Sequence, residues 1–140
     1  MKEKDRFKLD VITPERVLIS QDVASVVLLS GLGSSMGVLP RHAPLIAKTN
    51  TGTLKIRDIN KKETVIFVSS GFIMVSLEGV SIVVRSAEKK EMIDVDRARA
   101  AQERAKKRLI SRDMYIDLQR AREALVRAEY RLKLARGAAG

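Results

Sequence analysis

The hydrophobic pattern changes its period once along the 140-residue chain, near Ala87. Before this point, short runs of β-branched residues are separated by turn residues, which is typical of antiparallel strands. After it, apolar residues recur about every 3.6 positions, which indicates amphipathic helices. Strands followed by helices indicate an α+β arrangement of two parts. We therefore predict two domains, at residues 1–87 and 88–140.

The strand part contains two hairpins that can be recognised from the sequence. Leu54 and Ile56 alternate with charged residues, and a polar turn at 60–62 leads into the apolar run at 65–68. A second pair of runs, at 72–75 and 80–84, is joined by a Glu-Gly turn. Repetition of this pattern predicts an antiparallel β-sandwich, or flattened barrel, of about ten strands.

The helical part contains two apolar stripes separated by a break at 111–113. The first stripe consists of Ile93, Ala98, Ala101, Ala105 and Leu109, and the second consists of Met114, Leu118, Ala121, Leu125, Ala128 and Leu132. No proline follows Pro44, so helix propensity and hydrophobic pattern agree throughout this part. Because the link is short, we expect the two helices to form an antiparallel hairpin.

Composition limits the chemistry that the chain can perform. The net charge is +10, which suggests an acidic partner such as a nucleic acid, an anionic membrane, a nucleotide or an acidic protein surface. The absence of cysteine excludes disulfides, thiolate metal ligands and a cysteine nucleophile, and His42 is the only histidine. We therefore predict no metal site and no catalytic residues.

Three segments resemble the epsilon subunit of F-type ATP synthases. Residues 9–14 (LDVITP) look like the first strand of that family, and residues 70–75 (SGFIMV) look like its Gly-Gly-Phe hairpin. Residues 37–45 (GVLPRHAPL) are similar to its signature loop, in which a histidine lies between two prolines. The loop residues of interest are Gly37, Leu39, Pro40, His42 and Pro44. We interpret His42 as structural.

Residues 93–98 (IDVDRA) are similar to the motif by which some bacterial epsilon subunits bind ATP without hydrolysing it. The resemblance implies an ATP site formed by Glu88, Ile93, Asp94, Arg97, Ala98, Arg104, Arg127 and Arg131. In an antiparallel hairpin, arginine pairs from the two helices could converge on one polyphosphate through charge-assisted hydrogen bonds. The alternative interpretation is that these arginines line a solvated face and that Asp94 only caps a helix.

The resemblance implies a non-catalytic rotor subunit of the proton-translocating ATP synthase. Its strand domain would dock on the gamma subunit and touch the ring of c subunits. Its helices would inhibit hydrolysis when they extend toward the beta and alpha subunits, and ATP binding would favour the folded, non-inhibitory state. The expected beta-subunit contacts are Arg112, Arg120, Arg122, Arg127 and Arg131. We expect a peripheral protein on the cytoplasmic face of a bacterial plasma membrane, because residues 1–10 lack the apolar segment of a secretory signal.

Two other functions are less well supported by the residues. The basic composition would suit a nucleic-acid-binding module, but Phe67 and Phe72 lie in apolar strand runs and only Tyr115 and Tyr130 remain for base stacking. We therefore expect no nucleic-acid partner. A small enzyme ranks last because no acid–base pair is recognisable. We interpret residues 31–33 (GLG) as a turn, since the rest of a phosphate-binding loop is missing, and residues 137–140 as a frayed tail.

Overall fold

The structure is a computed structural model that describes residues 5–30 and 35–137. The predicted turn at 31–33 and most of the predicted tail lie outside these ranges. The strands are β1 (Phe7–Ile12), β2 (Val17–Ser30), β3 (Ser35–Val38), β4 (Leu45–Thr49), β5 (Gly52–Asp58), β6 (Glu63–Val68), β7 (Gly71–Ser76), β8 (Gly79–Val84) and β9 (Ala87–Lys89). A 3-10 turn at Lys90–Met92 leads to helices α1 (Val95–Ile110) and α2 (Leu118–Ala135).

The long strand β2 connects two layers of a sandwich. Its first half pairs with β1, and its second half pairs with β3 and β5, with a register shift between Val23 and Ser25. Layer A contains β4, β7, β8 and β1 in that order, and layer B contains β3, β5, β6 and β9. All pairings are antiparallel except the one between β1 and β8. The sandwich class is thus confirmed, with nine strands in the described ranges.

The core lies between the two layers and is almost entirely aliphatic. Leu9 and Val11 in β1, Ile56 in β5 and Ile82 in β8 are buried members of one cluster. These residues alternate with more exposed neighbours along their strands, because successive side chains of a strand point to opposite faces. The hairpins predicted from Leu54 onward and from residue 72 onward are both present.

Strand β6 is buried on both faces. Ile66 and Val68 belong to the core between the layers. Phe67 points the other way and is fully buried in a second, smaller cluster with Ile93 and Leu134 of the helical part. This small cluster attaches the helices to layer B.

Both helices begin at an aspartate that caps them. The carboxylates of Asp94 and Asp117 accept hydrogen bonds from backbone N–H groups three residues later, at 3.1 Å each. The buried alanines of the pair are Ala98, Ala105, Ala121 and Ala128. Alanine permits close approach of two helices. Helices α1 and α2 contact each other, which confirms the predicted hairpin. Neither helix in the described ranges is long and apolar enough to span a membrane.

The predicted second stripe is wrong at its start. Met114 and Leu118 are 85% and 44% exposed. Met114 lies in the link between the helices, which is longer than the predicted break and extends to Asp117. Leu118 is the first residue of α2 and precedes the buried positions of that helix. The helical period of the sequence therefore begins before the first residue that folds as part of α2.

The strand structure continues slightly beyond Ala87. Residues Ala87–Lys89 form β9 and pair with β6, so Glu88 belongs to the sandwich. The 3-10 turn and Ile93 then connect this strand to α1. This placement of Glu88 determines which residues it can reach.

Candidate functional site

Arg131 of α2 connects the helical hairpin to the sandwich. Its Nε donates a hydrogen bond to Oε1 of Glu88 on β9, and the two side chains are 25% and 24% exposed. The guanidinium carbon also lies 4.4 Å from the centroid of the Phe67 ring. A charge-assisted bond in a partly buried setting is stronger than an exposed ion pair. Two predicted ATP-site residues are therefore in direct contact with each other.

The IDVDRA segment forms the entry into α1. Asp94 is the N-cap, and its side chain accepts from the backbone N–H of Arg97. Ile93 is buried beside Phe67, and Ala98 is buried on α1. Asp94 therefore caps α1 in this conformation. Ile93 and Ala98 contribute packing.

The guanidinium groups of the remaining predicted ATP-site arginines have no acidic partner in the described part of the chain. Arg97 and Arg104 are exposed on α1, while Arg127 is half-buried on α2. Within the described part of the chain, their side chains form no hydrogen bond or ion pair. Arg127 lines a cleft between α2 and layer A, and Arg131, four residues later, reaches layer B through Glu88. Both arginines therefore lie on the side of α2 that faces the sandwich.

The predicted beta-subunit contacts outside this site are solvent-exposed. Arg112 lies in the link between the helices, and Arg120 and Arg122 lie in the first two turns of α2. Among contacts with described residues, only Arg122 of the three has a side-chain hydrogen bond, which it donates to Gln119 at 3.2 Å. These side chains are accessible to a partner protein in this conformation.

The signature loop is an exposed turn at one end of the sandwich. Gly37 lies in β3, and the N–H of His42 donates to the carbonyl of Leu39 at 3.2 Å. Arg41 adopts a left-handed conformation with φ of 65°, which the sequence did not reveal. Nδ1 of His42 lies 2.8 Å from the carbonyl oxygen of Ala43, a contact that fits a structural role.

Pro40 and Pro44 bracket this turn, and Leu39 projects from it with 64% exposure. Leu77, in the turn between β7 and β8, borders the same depression as Leu39 and His42 and is 93% exposed. Exposed leucines grouped at one end of a sandwich indicate a contact surface.

The outward side of layer A carries an apolar face that sequence analysis missed. Ile46 pairs with Met74, and Phe72 pairs with Val83, in the register of neighbouring strands. Their exposures of 75%, 39%, 48% and 37% respectively leave a continuous patch open to solvent. We call these four residues the layer A face. The available signal was the unbroken apolar run 72–75, because a strand covered on one side only should alternate.

Two family models together match almost all of the chain. The model described as the beta-sandwich domain of the ATP synthase Delta/Epsilon chain matches residues 6–90. The model described as its long alpha-helix domain matches residues 91–136. These two ranges cover the sandwich and the hairpin.

Curated relatives of the chain are named ATP synthase epsilon chain. The chain is 43% identical over 129 residues to the ATP synthase epsilon chain of Moorella thermoacetica, covering 92% of this chain and 96% of the relative. It is 38% identical over 127 residues to the ATP synthase epsilon chain of Staphylococcus haemolyticus, covering 91% and 94%.

Two solved structures share the fold. A chain of the Euglena gracilis mitochondrial ATP synthase, in a structure of its OSCP, F1 and c-ring, aligns with a TM-score of 0.77 at 24% identity, covering 94% of this chain and 81% of that one. A chain from the central stalk and c-ring of the Tetrahymena thermophila mitochondrial ATP synthase aligns with a TM-score of 0.60 at 12% identity, covering 96% and 99%.

Proposed function

The chain belongs to the delta/epsilon chain family of ATP synthase, and we propose that it controls ATP hydrolysis by that enzyme through the position of its helical hairpin. The observation that carries this proposal is the contact of Arg131 with Glu88 and Phe67. In residues 5–30 and 35–137, one ion pair and one small apolar cluster hold the hairpin to the sandwich. An attachment of this size can be outweighed by a ligand or partner that binds one arrangement better than the other.

The sandwich would connect this regulator to the rotor. Ile46 and Met74, the two residues of the layer A face that do not line the cleft against α2, offer the exposed apolar surface expected of a protein contact, and we assign them to the gamma subunit. The c-subunit ring would contact the end of the sandwich that carries Leu39, His42 and Leu77. The Euglena and Tetrahymena structures contain a chain of this fold together with a c-ring, which supports a c-ring partner. Such a subunit works at the membrane periphery, on the cytoplasmic face in a bacterium.

ATP would be the ligand that favours the folded hairpin. Arg97 and Arg104 supply charge from α1, and Arg127 and Arg131 supply it from α2. A polyphosphate between the helices would relieve the repulsion among these cations and give Arg131 a second anionic partner beside Glu88. Binding to one conformer stabilises that conformer by mass action. In the extended state, Arg112, Arg120 and Arg122 would instead meet acidic segments of the beta subunits.

The ATP site can be tested with two arginines of α1 that differ in the face they occupy. Arg97 and Arg99 are both exposed and two positions apart, so they point to different sides of the helix. We expect Arg97→Ala to weaken ATP binding to the full chain about tenfold to a hundredfold, because it removes a charge-assisted hydrogen bond. We expect Arg99→Ala to leave the affinity within about twofold. Isothermal titration calorimetry measures both.

If the two variants bind ATP equally well, the arginines of α1 form a solvated face and ATP is not the regulatory ligand. The family assignment does not depend on this result.

A further inference from the structure

A cleft of about 1000 Å³ lies between the start of α2 and the outward side of layer A. Gln119, Glu123 and Val126 line it from the helix, on a different side of α2 from the buried Ala121 and Ala128. The cleft therefore occupies the flank of α2 that faces away from α1. Of the four arginines of the proposed ATP site, Arg127 lines the cleft, and Arg97, Arg104 and Arg131 do not.

The floor of the cleft is apolar. Ile12, Phe72 and Val83 contribute from β1, β7 and β8, where Phe72 and Val83 are cross-strand neighbours. Val126 faces them from α2 and is 37% exposed. Water covers apolar side chains on both walls, so an apolar ligand group that displaced it would gain free energy.

The rim of the cleft is positively charged on both sides. Lys48 and Arg85 belong to the sandwich, while Arg122 and Arg127 belong to α2. Within the described part of the chain, only Arg122 among these four cations has a side-chain hydrogen bond, and its partner is the neutral Gln119. Glu123 is the single acidic residue of the lining, and it accepts a hydrogen bond from Gln119. Four cations from the hairpin and the sandwich therefore share the lining with one carboxylate, so the cleft keeps an excess of positive charge.

We propose that this cleft binds an anionic amphiphile, a ligand with a phosphate or carboxylate head group and an apolar chain. The volume is in the usual range for small-molecule sites, and an apolar lining with a few convergent charged groups is their usual composition. The head group would lie among the rim cations, and the chain would cover Phe72, Val83 and Val126. Charge complementarity selects an anion, and the apolar floor distinguishes this ligand from a free phosphate ion.

This site would give the hairpin a second control, which would share Arg127 with the proposed ATP site. The ligand would contact α2 and layer A at once, and it would remove the repulsion between their cations. It would therefore stabilise the folded hairpin, because release of α2 would dismantle one wall of the cleft.

Octyl phosphate is a suitable probe for the full chain, followed by chemical shifts of isotope-labelled protein. We expect saturable binding with shifts centred on Phe72, Val83 and Val126. Octanol tests the head group, and inorganic phosphate tests the apolar chain; both should bind at least tenfold more weakly. Equal binding of either control, or a response to octyl phosphate that does not saturate, overturns the proposal.

Two charge-reversal variants identify the head-group contact. Arg85 and Arg99 are both exposed and unpaired in the described chain, and only Arg85 lines the cleft. Arg85→Glu should weaken octyl phosphate binding at least tenfold, whereas Arg99→Glu, with the same change in net charge, should leave it within about twofold. Equal effects of the two variants would show that only the net charge matters and would refute a defined site.

The same spectra separate this proposal from the ATP site. ATP should shift the α1 signals around Arg97 and Arg104, and octyl phosphate should leave those signals unchanged. A chain that binds octyl phosphate but not ATP would therefore contradict the proposed ATP regulation alone.

Discussion

Arg131 combines burial with two interactions. It is three-quarters buried, it donates to Glu88, and it lies over the Phe67 ring. Cation–π contacts of partly desolvated arginines add to the ion-pair energy. The exposed pair Arg57 and Glu63, at 3.0 Å between Nη2 and Oε1, has the same chemistry without the burial.

A double-mutant cycle should separate these two ion pairs. We expect Glu88→Gln and Arg131→Ala to show a coupling of about 1–3 kcal/mol in the free energy of unfolding. The matched cycle with Glu63→Gln and Arg57→Ala should give less than about 1 kcal/mol, because its side chains are 43% and 53% exposed. Urea denaturation of the four single and two double variants provides the values. Equal couplings would mean that Arg131 does not fasten the hairpin.

The sequence predicted the positions of single residues better than their partners. Asp94 could be interpreted as a cap because capping depends on residues within one helical turn. The contact between Glu88 and Arg131 joins residues 43 positions apart, and no local pattern specifies it. The resemblance assigned both residues to an ATP site without indicating that they pair with each other.

At the scale of elements, close backbone approach makes one glycine essential to the sandwich. Gly52 begins β5 and pairs with Ser30 of β2. A methyl group at Gly52 would lie 1.8 Å from the carbonyl oxygen of Leu29, which belongs to the backbone and cannot turn away. By contrast, a methyl group at Gly37 in the signature loop pattern would meet its nearest neighbour, a methyl carbon of Val27, at 4.0 Å.

We therefore expect Gly52→Ala to lower the free energy of unfolding by about 1–3 kcal/mol or more, through a steric clash that must move a strand. Gly37→Ala should change it by less than about 0.5 kcal/mol. Thermal and urea denaturation, followed by circular dichroism, measure both changes. A stable Gly52→Ala variant would contradict the strand spacing described here.

Elements were predictable where the period was local and clear. Alternation identified the hairpins β5–β6 and β7–β8, and the change of period indicated the hairpin of helices. The exposed Met114 was mispredicted because a helical period in the sequence does not show where tertiary contacts begin. The division of β2 between two layers was also not predictable, since it depends on pairing with strands distant in sequence.

At the scale of the whole molecule, the two clusters of buried residues belong to different parts of the fold. The larger cluster contains only sandwich residues, and the smaller one joins Phe67 to the helical part. A fragment of residues 1–92 retains the complete larger cluster and all of β9. We expect it to fold alone and to bind the gamma subunit, because the layer A face is also retained.

A fragment of residues 1–86 is the matched control. It uncovers Phe67 in the same way but also removes β9, so β6 keeps β5 and loses the second of its two antiparallel partners. We expect it to be less stable than the longer fragment in urea denaturation. A 1–92 fragment that is unfolded by circular dichroism, or that folds without binding gamma in a pull-down, would refute this division of roles.

The position of Phe67 has a consequence for the protein before it is assembled. The folded hairpin covers this aromatic ring completely, and release of the hairpin would expose it beside β9, the terminal strand of layer B. Exposed apolar surface near a strand edge promotes aggregation and marks a chain for cellular quality control. A newly made subunit that waits for its partners is therefore protected by the same helices that would later regulate the enzyme. Variants that loosen the hairpin should be less abundant in cells, even where the assembled enzyme tolerates them.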